Sequence, residues 1–126
     1  MVPIINADGT FQDPELIEVC EGCAISIAMM HDRWTYGFEI DMQTVKDVEP
    51  CSKLNDFFDT RDNAIAAAII EMSRRAKYAN KLRLLPFDDY CAPKEGNPEI
   101  PLDMFLRALD KVQNDLVLHV EDTIFP

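Results

Sequence analysis

Glycine, histidine and positive charge are all scarce in this sequence. Four glycines and two histidines occur among the 126 residues. The glycine-rich phosphate-binding motifs, the His-Glu-x-x-His metal motif and the Gly-x-Ser-x-Gly nucleophile motif are absent. The chain therefore lacks the common signatures of nucleotide-binding proteins, metalloproteases and hydrolases. We interpret it as a non-enzymatic protein that needs no cofactor.

Long apolar runs are also absent. No run reaches the ~18 residues that a membrane-spanning helix requires. The N-terminal residues lack the basic segment and the apolar segment of an export signal. We therefore expect a cytoplasmic protein without a membrane partner. In a reducing compartment its four cysteines are expected to be free thiols: Cys20, Cys23, Cys51 and Cys91.

Basic residues are outnumbered by acidic residues, 12 to 23, and the net charge is −11. A field of that sign repels nucleic-acid backbones, so no direct nucleic-acid binding is expected. Residues 60–85 nevertheless carry six bases and two acids. We call the basic residues near the end of this segment the basic helix end: Arg74, Arg75, Lys77, Lys81 and Arg83. They either complement the fold and the helix C-terminus or bind an anion, which would be an acidic partner or a phosphate.

Alternating aromatic and aliphatic residues predict a β-hairpin in the first half of the chain. The segment Cys23–His31 reads as a largely buried strand, and Asp32-Arg33 reads as a tight turn. The segment Trp34–Met42 alternates strictly, with its large apolar side chains at every second position. Gly37 lies on the opposite face, where it indicates a bulge or a close neighbour.

Two helices are predicted to cover this hairpin. The first spans about residues 60–80, with Thr60 as the N-cap, and repeats small and apolar residues at three- and four-residue steps. The second begins at about residue 101 and has one apolar face. With 48% hydrophobic residues the chain can bury a core. We therefore predict a single α+β domain over residues 1–126, with a hairpin or small antiparallel sheet packed against one long helix.

The remaining segments carry weaker patterns. Asp13-Pro14-Glu15 is typical of a helix start, so a short helix ending near Gly22 is predicted, with a strand as the alternative. Residues 43–55 and 86–101 are predicted loops because they are rich in polar residues and proline. Phe57-Phe58 forms either a third strand or an aromatic plug beneath the long helix.

Cys20-Glu-Gly-Cys23 is the one compact motif. Two thiolates at this spacing are half of a tetrahedral zinc site, and the remaining candidates for ligands are Cys51, Cys91, His31 and His119. Acidic neighbours oppose thiolate formation, which disfavours redox chemistry. The plainer interpretation is a pair of small core residues. A metal-binding or enzymatic domain using Cys20, Cys23 and His31 is therefore an alternative hypothesis, and no metal site is assigned.

These features favour an accessory or interaction protein that binds another macromolecule, most simply another protein. A second hypothesis is an acidic mimic of nucleic acid that occupies a basic surface on its partner. The hairpin with Trp-x-Tyr-Gly-Phe, the proline-containing loop and the basic helix resemble, over about residues 24–80, small proteins of bacterial mobile genetic elements. The resemblance assigns no functional residue, and a homodimer remains open.

Overall fold

A computed structural model describes residues 3–42, 46–84 and 102–116, with the backbone alone for residues 80–84. Within these ranges the chain forms a four-stranded antiparallel sheet and two helices, as the α+β prediction requires. That residues 1–126 form one domain stays a prediction. The elements are β1 (Glu15–Cys20), β2 (Cys23–Met30), β3 (Arg33–Asp41), β4 (Lys46–Glu49), α1 (Arg61–Leu84) and α2 (Leu102–Asp115).

The sheet is a simple meander in the order β1-β2-β3-β4. The predicted hairpin is its centre, and β2 pairs with β3 from Cys23 opposite Ile40 to Met30 opposite Arg33. The turn is formed by His31 and Asp32, both at positive φ, rather than by Asp32-Arg33. Two positive φ angles are typical of the two-residue turns that match strand twist. Arg33 is therefore the first residue of β3.

The predicted short helix at residues 13–22 is wrong, and its alternative, a strand, is correct. Residues Glu15–Cys20 form β1, and Gly22 at φ 81° belongs to the turn into β2. The register shifts between Glu18 and Cys20, as in a β-bulge. Because of this shift the adjacent Val19 and Cys20 both pack against the core. The bulge thus allows two neighbouring apolar residues to face the core, and in the sequence such a pair imitates helical spacing.

The predicted loop at residues 43–55 contains a further strand. Residues Lys46–Glu49 form β4 and pair with β3, with Phe38 opposite Glu49 and Ile40 opposite Asp47. Three of its four residues, Lys46, Asp47 and Glu49, are of types that are depleted in strands. The strand state therefore depends on the neighbouring strand and on tertiary contacts.

The first helix confirms the sequence pattern closely. The Asn63 backbone N–H donates to Thr60 Oγ1 at 3.0 Å, so Thr60 is the N-cap. The helix extends to Leu84, one turn beyond Asn80, at which the sequence predicted its end. Its buried face packs against β2 and β3. That face consists of small and apolar side chains: Ala64, Ile65, Ala68, Ile69, Met72 and Ala76.

The second helix, α2, covers the same side of the sheet as α1. It packs against α1 and β1. Its predicted apolar face is buried: Phe105, Leu106, Leu109 and Val112. The predicted loop 86–101 and the segment after Leu116 lie outside the described residues. The main core therefore lies between the sheet and two helices.

Part of the opposite side of the sheet is covered by irregular segments. Phe11, Ala28 and Cys51 form a second, smaller buried cluster there, and Phe57 packs against it. Phe58, by contrast, packs against the main core and forms an isolated bridge with Trp34. Phe57-Phe58 thus forms neither a full strand nor a single plug, because its two rings enter different cores.

Gly37 contacts the irregular segment around Cys51, which covers part of this side of the sheet. A Cβ atom at this position would lie 2.3 Å from the Cys51 backbone nitrogen and 2.4 Å from the Glu49 carbonyl oxygen. The predicted close neighbour at Gly37 is therefore the backbone of residues 49–51. No side chain can be accommodated without moving this backbone.

We predict that Gly37→Ala destabilises the protein by about 3 kcal/mol or more, at the upper end of the cost of overpacking, because backbone cannot yield as a side chain does. The measurement is the free energy of unfolding in urea. Glu39→Ala is the matched control, since Glu39 is exposed on the same face of β3. Equal stability of the two variants would contradict the close approach.

Candidate functional site

Arg75 lies at the centre of an ionic cluster that joins α1 to the edge of the sheet. Its guanidinium lies 3.2 Å from Asp47 Oδ1, 3.3 Å from Glu49 Oε2 and 3.0 Å from Glu71 Oε1. It also lies 4.9 Å from the centre of the Phe38 ring. Burial opposes the charge, but these carboxylates raise the pKa of Arg75 above its ordinary value. This arginine of the basic helix end is therefore engaged within the fold.

The other members of the basic helix end are placed less completely. Arg74 is exposed and Lys77 is half-buried on α1. Lys81 and Arg83 lie within α1, but their side chains lie outside the described part of the chain. A shallow groove of about 430 Å³ runs beside the cluster and is lined by Asp47, Arg74, Arg75, Tyr78 and Ala79. A partner-binding role for the basic helix end stays a prediction.

Three further cations are also engaged within the fold. Arg61 forms a two-pronged ion pair with Glu15 on β1. Arg33 lies 3.5 Å from Asp59 and donates to the Phe57 carbonyl oxygen, and Lys46 lies 3.7 Å from Asp41. Exposed pairs of this kind contribute little stability each. These cations are already paired within the fold. Some carboxylates on the surface, by contrast, form no ion pair among the described residues.

The uncovered part of the sheet, on the side opposite the helices, carries such unmatched carboxylates. Glu18, Ala24, Glu39 and Val48 are successive partners across all four strands, so their side chains form one row on one face. Leu16 lies on the same face, two residues before Glu18. We call these five residues, Leu16, Glu18, Ala24, Glu39 and Val48, the acidic sheet face.

The apolar side chains and the carboxylates of the acidic sheet face are both exposed. Leu16 is 70% exposed and Val48 is 57% exposed. Glu18 and Glu39 are exposed, form no ion pair among the described residues, and lie two strands apart, a separation of roughly 10 Å from the ordinary strand spacing. The sequence did not single out these residues, because only the register of four strands brings them into one row.

A cavity of about 270 Å³ lies at the other end of the sheet. Its wall includes Ile4, Phe11, Met29 and Trp34, and its rim carries Asp13 and Glu15. Ile4 is 63% exposed and Met29 is 42% exposed. The cavity is mainly apolar, so it offers space for an apolar side chain but no arrangement of groups for chemistry.

The compact cysteine motif closes the β1–β2 turn. Cys20 and Cys23 are direct partners across this hairpin, and Cys23 is buried in the main core. His31 lies beyond the far end of β2, about 27 Å away at the ordinary strand rise. The structure therefore does not bring His31 to the cysteines. Cys91 and His119 lie outside the described residues, and within those residues no three metal-binding side chains cluster.

The thiols of Cys20 and Cys51 have raised pKa values, so both stay protonated at neutral pH. Burial, followed by the hydrogen bond with Cys23 and the charge of Glu18, raises the pKa of Cys20 to about 12. Burial also raises the pKa of Cys51 to about 11, although a hydrogen bond with Ser26 opposes the shift. Thiols of this kind are poor nucleophiles at neutral pH. The local environment thus fits core cysteines rather than redox-active ones.

Comparisons with protein-family models, with curated proteins and with solved structures gave no match for this chain. An origin in a bacterial mobile genetic element therefore stays a prediction. Within residues 3–42, 46–84 and 102–116, no helix is long and apolar enough to span a membrane.

We predict that the protein loses stability as the pH rises from about 9 towards 11, because Cys20 and Cys51 ionise near pH 9 when unfolded but keep their protons when folded. The unfolded state then binds fewer protons and is favoured. Below about pH 9 both states keep these protons, so the two thiols do not make the free energy of unfolding depend on pH. The measurement is the urea midpoint under reducing conditions at several pH values. The control is the double variant Cys20→Ser, Cys51→Ser, which should show a shallower decline; parallel curves would contradict the assignment.

Proposed function

We propose that this protein is a non-enzymatic interaction protein, acting in the cytoplasm, which binds another protein through the acidic sheet face. The observation that carries the proposal is the row of Glu18, Ala24, Glu39 and Val48 across four strands, with exposed Leu16 beside it. Arg33, Lys46, Arg61 and Arg75 are paired with other carboxylates within the fold, whereas Glu18 and Glu39 form no ion pair among the described residues. The proposal requires no cofactor.

The chemistry of this face defines the partner. Two unmatched carboxylates complement lysine or arginine side chains, and the exposed Leu16 and Val48 complement apolar ones. Electrostatic complementarity of this kind accelerates association and excludes partners of like charge. The expected partner is therefore a protein whose surface combines basic and apolar residues.

A second copy of the chain fits this face less well. In a two-fold interface the carboxylates of Glu18 and Glu39 would face carboxylates of the other copy. Each chain also carries a net charge of −11, so two copies repel one another. A homodimer through this face is thus a less favourable outcome than a complex with a basic partner.

The nucleic-acid mimic is the second candidate function, and the unmatched carboxylates on an acidic protein favour it to the same extent. It differs in the identity of the partner surface, which would normally bind phosphates. If a nucleic-acid duplex displaces the captured partner from the acidic sheet face, the mimic is favoured. If the duplex does not compete, the partner surface is an ordinary protein-binding one.

We predict that Glu39→Lys weakens partner binding about tenfold or more, because it places a cation against a basic surface. Proteins captured from an extract of the producing cells by the wild type and the variant would be compared by mass spectrometry. The Kd of each purified candidate would then be measured by calorimetry at low and high salt. Asp115→Lys is the matched control, since it makes the same change in net charge at an exposed position on α2.

The control should bind within about twofold of the wild type, since Asp115 lies outside the face that recognises the partner. Equal losses in both variants would show that only net charge matters. Full binding by Glu39→Lys would remove the acidic sheet face from the interaction. A sedimentation profile of the wild type alone distinguishes self-association from capture of a partner.

A further inference from the structure

A small cavity of about 230 Å³ lies beside the end of β4, on the helix-covered side of the sheet. We call it the aromatic-acidic cavity. It is lined by Tyr36, Glu49, Leu54, Asn55, Asp56 and Phe58. Its volume is below the ~300 Å³ at which pockets for drug-sized ligands begin. It therefore suits one side-chain head group rather than a whole metabolite.

Hydrogen bonds fix the wall of this cavity in place. The Asn55 side-chain amide donates to the Tyr36 carbonyl oxygen at 3.2 Å and to the Pro50 carbonyl oxygen at 2.7 Å. The buried Thr35 hydroxyl donates to the Asp56 carbonyl oxygen at 2.8 Å. With both amide hydrogens used, Asn55 Oδ1 has no partner among the described residues, so it is available to a donor from a ligand.

The cavity is electronegative. Burial is the largest cause that raises the pKa of the Tyr36 hydroxyl, and the charges of Glu71, Glu49 and Asp56 raise it further. Among the described residues, Arg75 opposes them. The Tyr36 phenol is neutral when protonated and negative when ionised, so it cannot balance these carboxylates. A cation is therefore the ligand that this field favours.

The same molecule shows how such surroundings receive a cation. Arg75 lies 4.9 Å from the Phe38 ring centre, between carboxylates that include Glu49. The Tyr36 ring is stacked beside Phe38 at 6.4 Å, and Phe58 lies 6.0 Å further on at 30°. The aromatic-acidic cavity thus repeats the aromatic and carboxylate surroundings of Arg75. Within the part of the chain that the structure describes, no internal cation lines it.

We propose that the aromatic-acidic cavity binds the guanidinium group of an arginine side chain presented by a partner polypeptide. The planar group stacks against Tyr36 or Phe58 and donates to Asp56 and Asn55 Oδ1. A guanidinium is preferred to an ammonium because it presents several donors in one plane while its face contacts the ring. Since this site lies opposite the acidic sheet face, the inference is independent of the proposed function.

The test is a titration followed by ¹H–¹⁵N NMR, with N-acetyl-arginine amide as the probe. We expect saturable shifts at Tyr36, Asn55 and Asp56, including the Asn55 side-chain amide, with a Kd in the millimolar range. N-acetyl-norleucine amide should produce none, and N-acetyl-lysine amide should bind more weakly. Free arginine should bind no more tightly than the blocked form; much tighter binding would overturn the assignment to a polypeptide.

Variants make the test specific to the cavity. Asp56→Asn keeps the backbone acceptor used by Thr35 and should weaken binding roughly fivefold or more, since it removes a charge-assisted hydrogen bond. Asp115→Asn is the matched control and should bind like the wild type. Glu39→Lys should also keep binding to the cavity, which separates this inference from the proposed function.

Three further results would overturn the inference. They are the absence of saturable shifts, equal shifts with the norleucine probe, and an unchanged Kd in Asp56→Asn. Leu54→Ala is a further variant in case Asp56→Asn disturbs the loop, because Leu54 is 78% exposed and lines the same cavity. The dispersion of the NMR spectrum reports whether each variant is folded.

Discussion

The contact of Arg75 with β4 and Phe38 is the interaction on which the arrangement of this protein depends. β4 is short, polar and at the edge of the sheet, and its inward-facing positions are Asp47 and Glu49. Two carboxylates beside a helix require a compensating charge, and the guanidinium of Arg75 supplies it while covering an aromatic ring. Arg75 of the basic helix end therefore links α1 to the fourth strand of the sheet.

Internal ion pairs engage several cations of the described chain, and the uncovered face of the sheet carries carboxylates without such partners. The helices cover one side of the sheet, while the segments around Phe11 and Cys51 cover part of the other. The part left uncovered joins carboxylates and exposed apolar side chains in one row. This chemistry complements a basic partner, and it is the basis of the roles that we propose for the acidic sheet face and the aromatic-acidic cavity.

The sequence predicted those elements whose pattern is local. The face of α1, its N-cap Thr60 and the alternation in β3 follow from periods of 3.6 and 2 residues, and the structure confirms them. β1 was mistaken because a bulge placed two adjacent apolar residues against the core. The sequence does not predict β4, because its contacts with Arg75 join residues more than 25 positions apart in the chain. The acidic sheet face cannot be predicted from the sequence for the same reason, since its row of side chains forms only in the register of the assembled sheet.

A double-mutant cycle tests the central claim most directly. Arg75→Met would be combined with the joint change Asp47→Asn, Glu49→Gln, and the free energy of unfolding measured for each variant. We expect a coupling energy of about 1–2 kcal/mol, reduced from that of a fully buried pair because the Arg75 side chain is 30% exposed. Replacing the first arm by Arg107→Met, at an exposed position on α2, should give a coupling near zero. A coupling near zero for Arg75 as well would show that the basic helix end does not hold the edge strand, and would contradict the account.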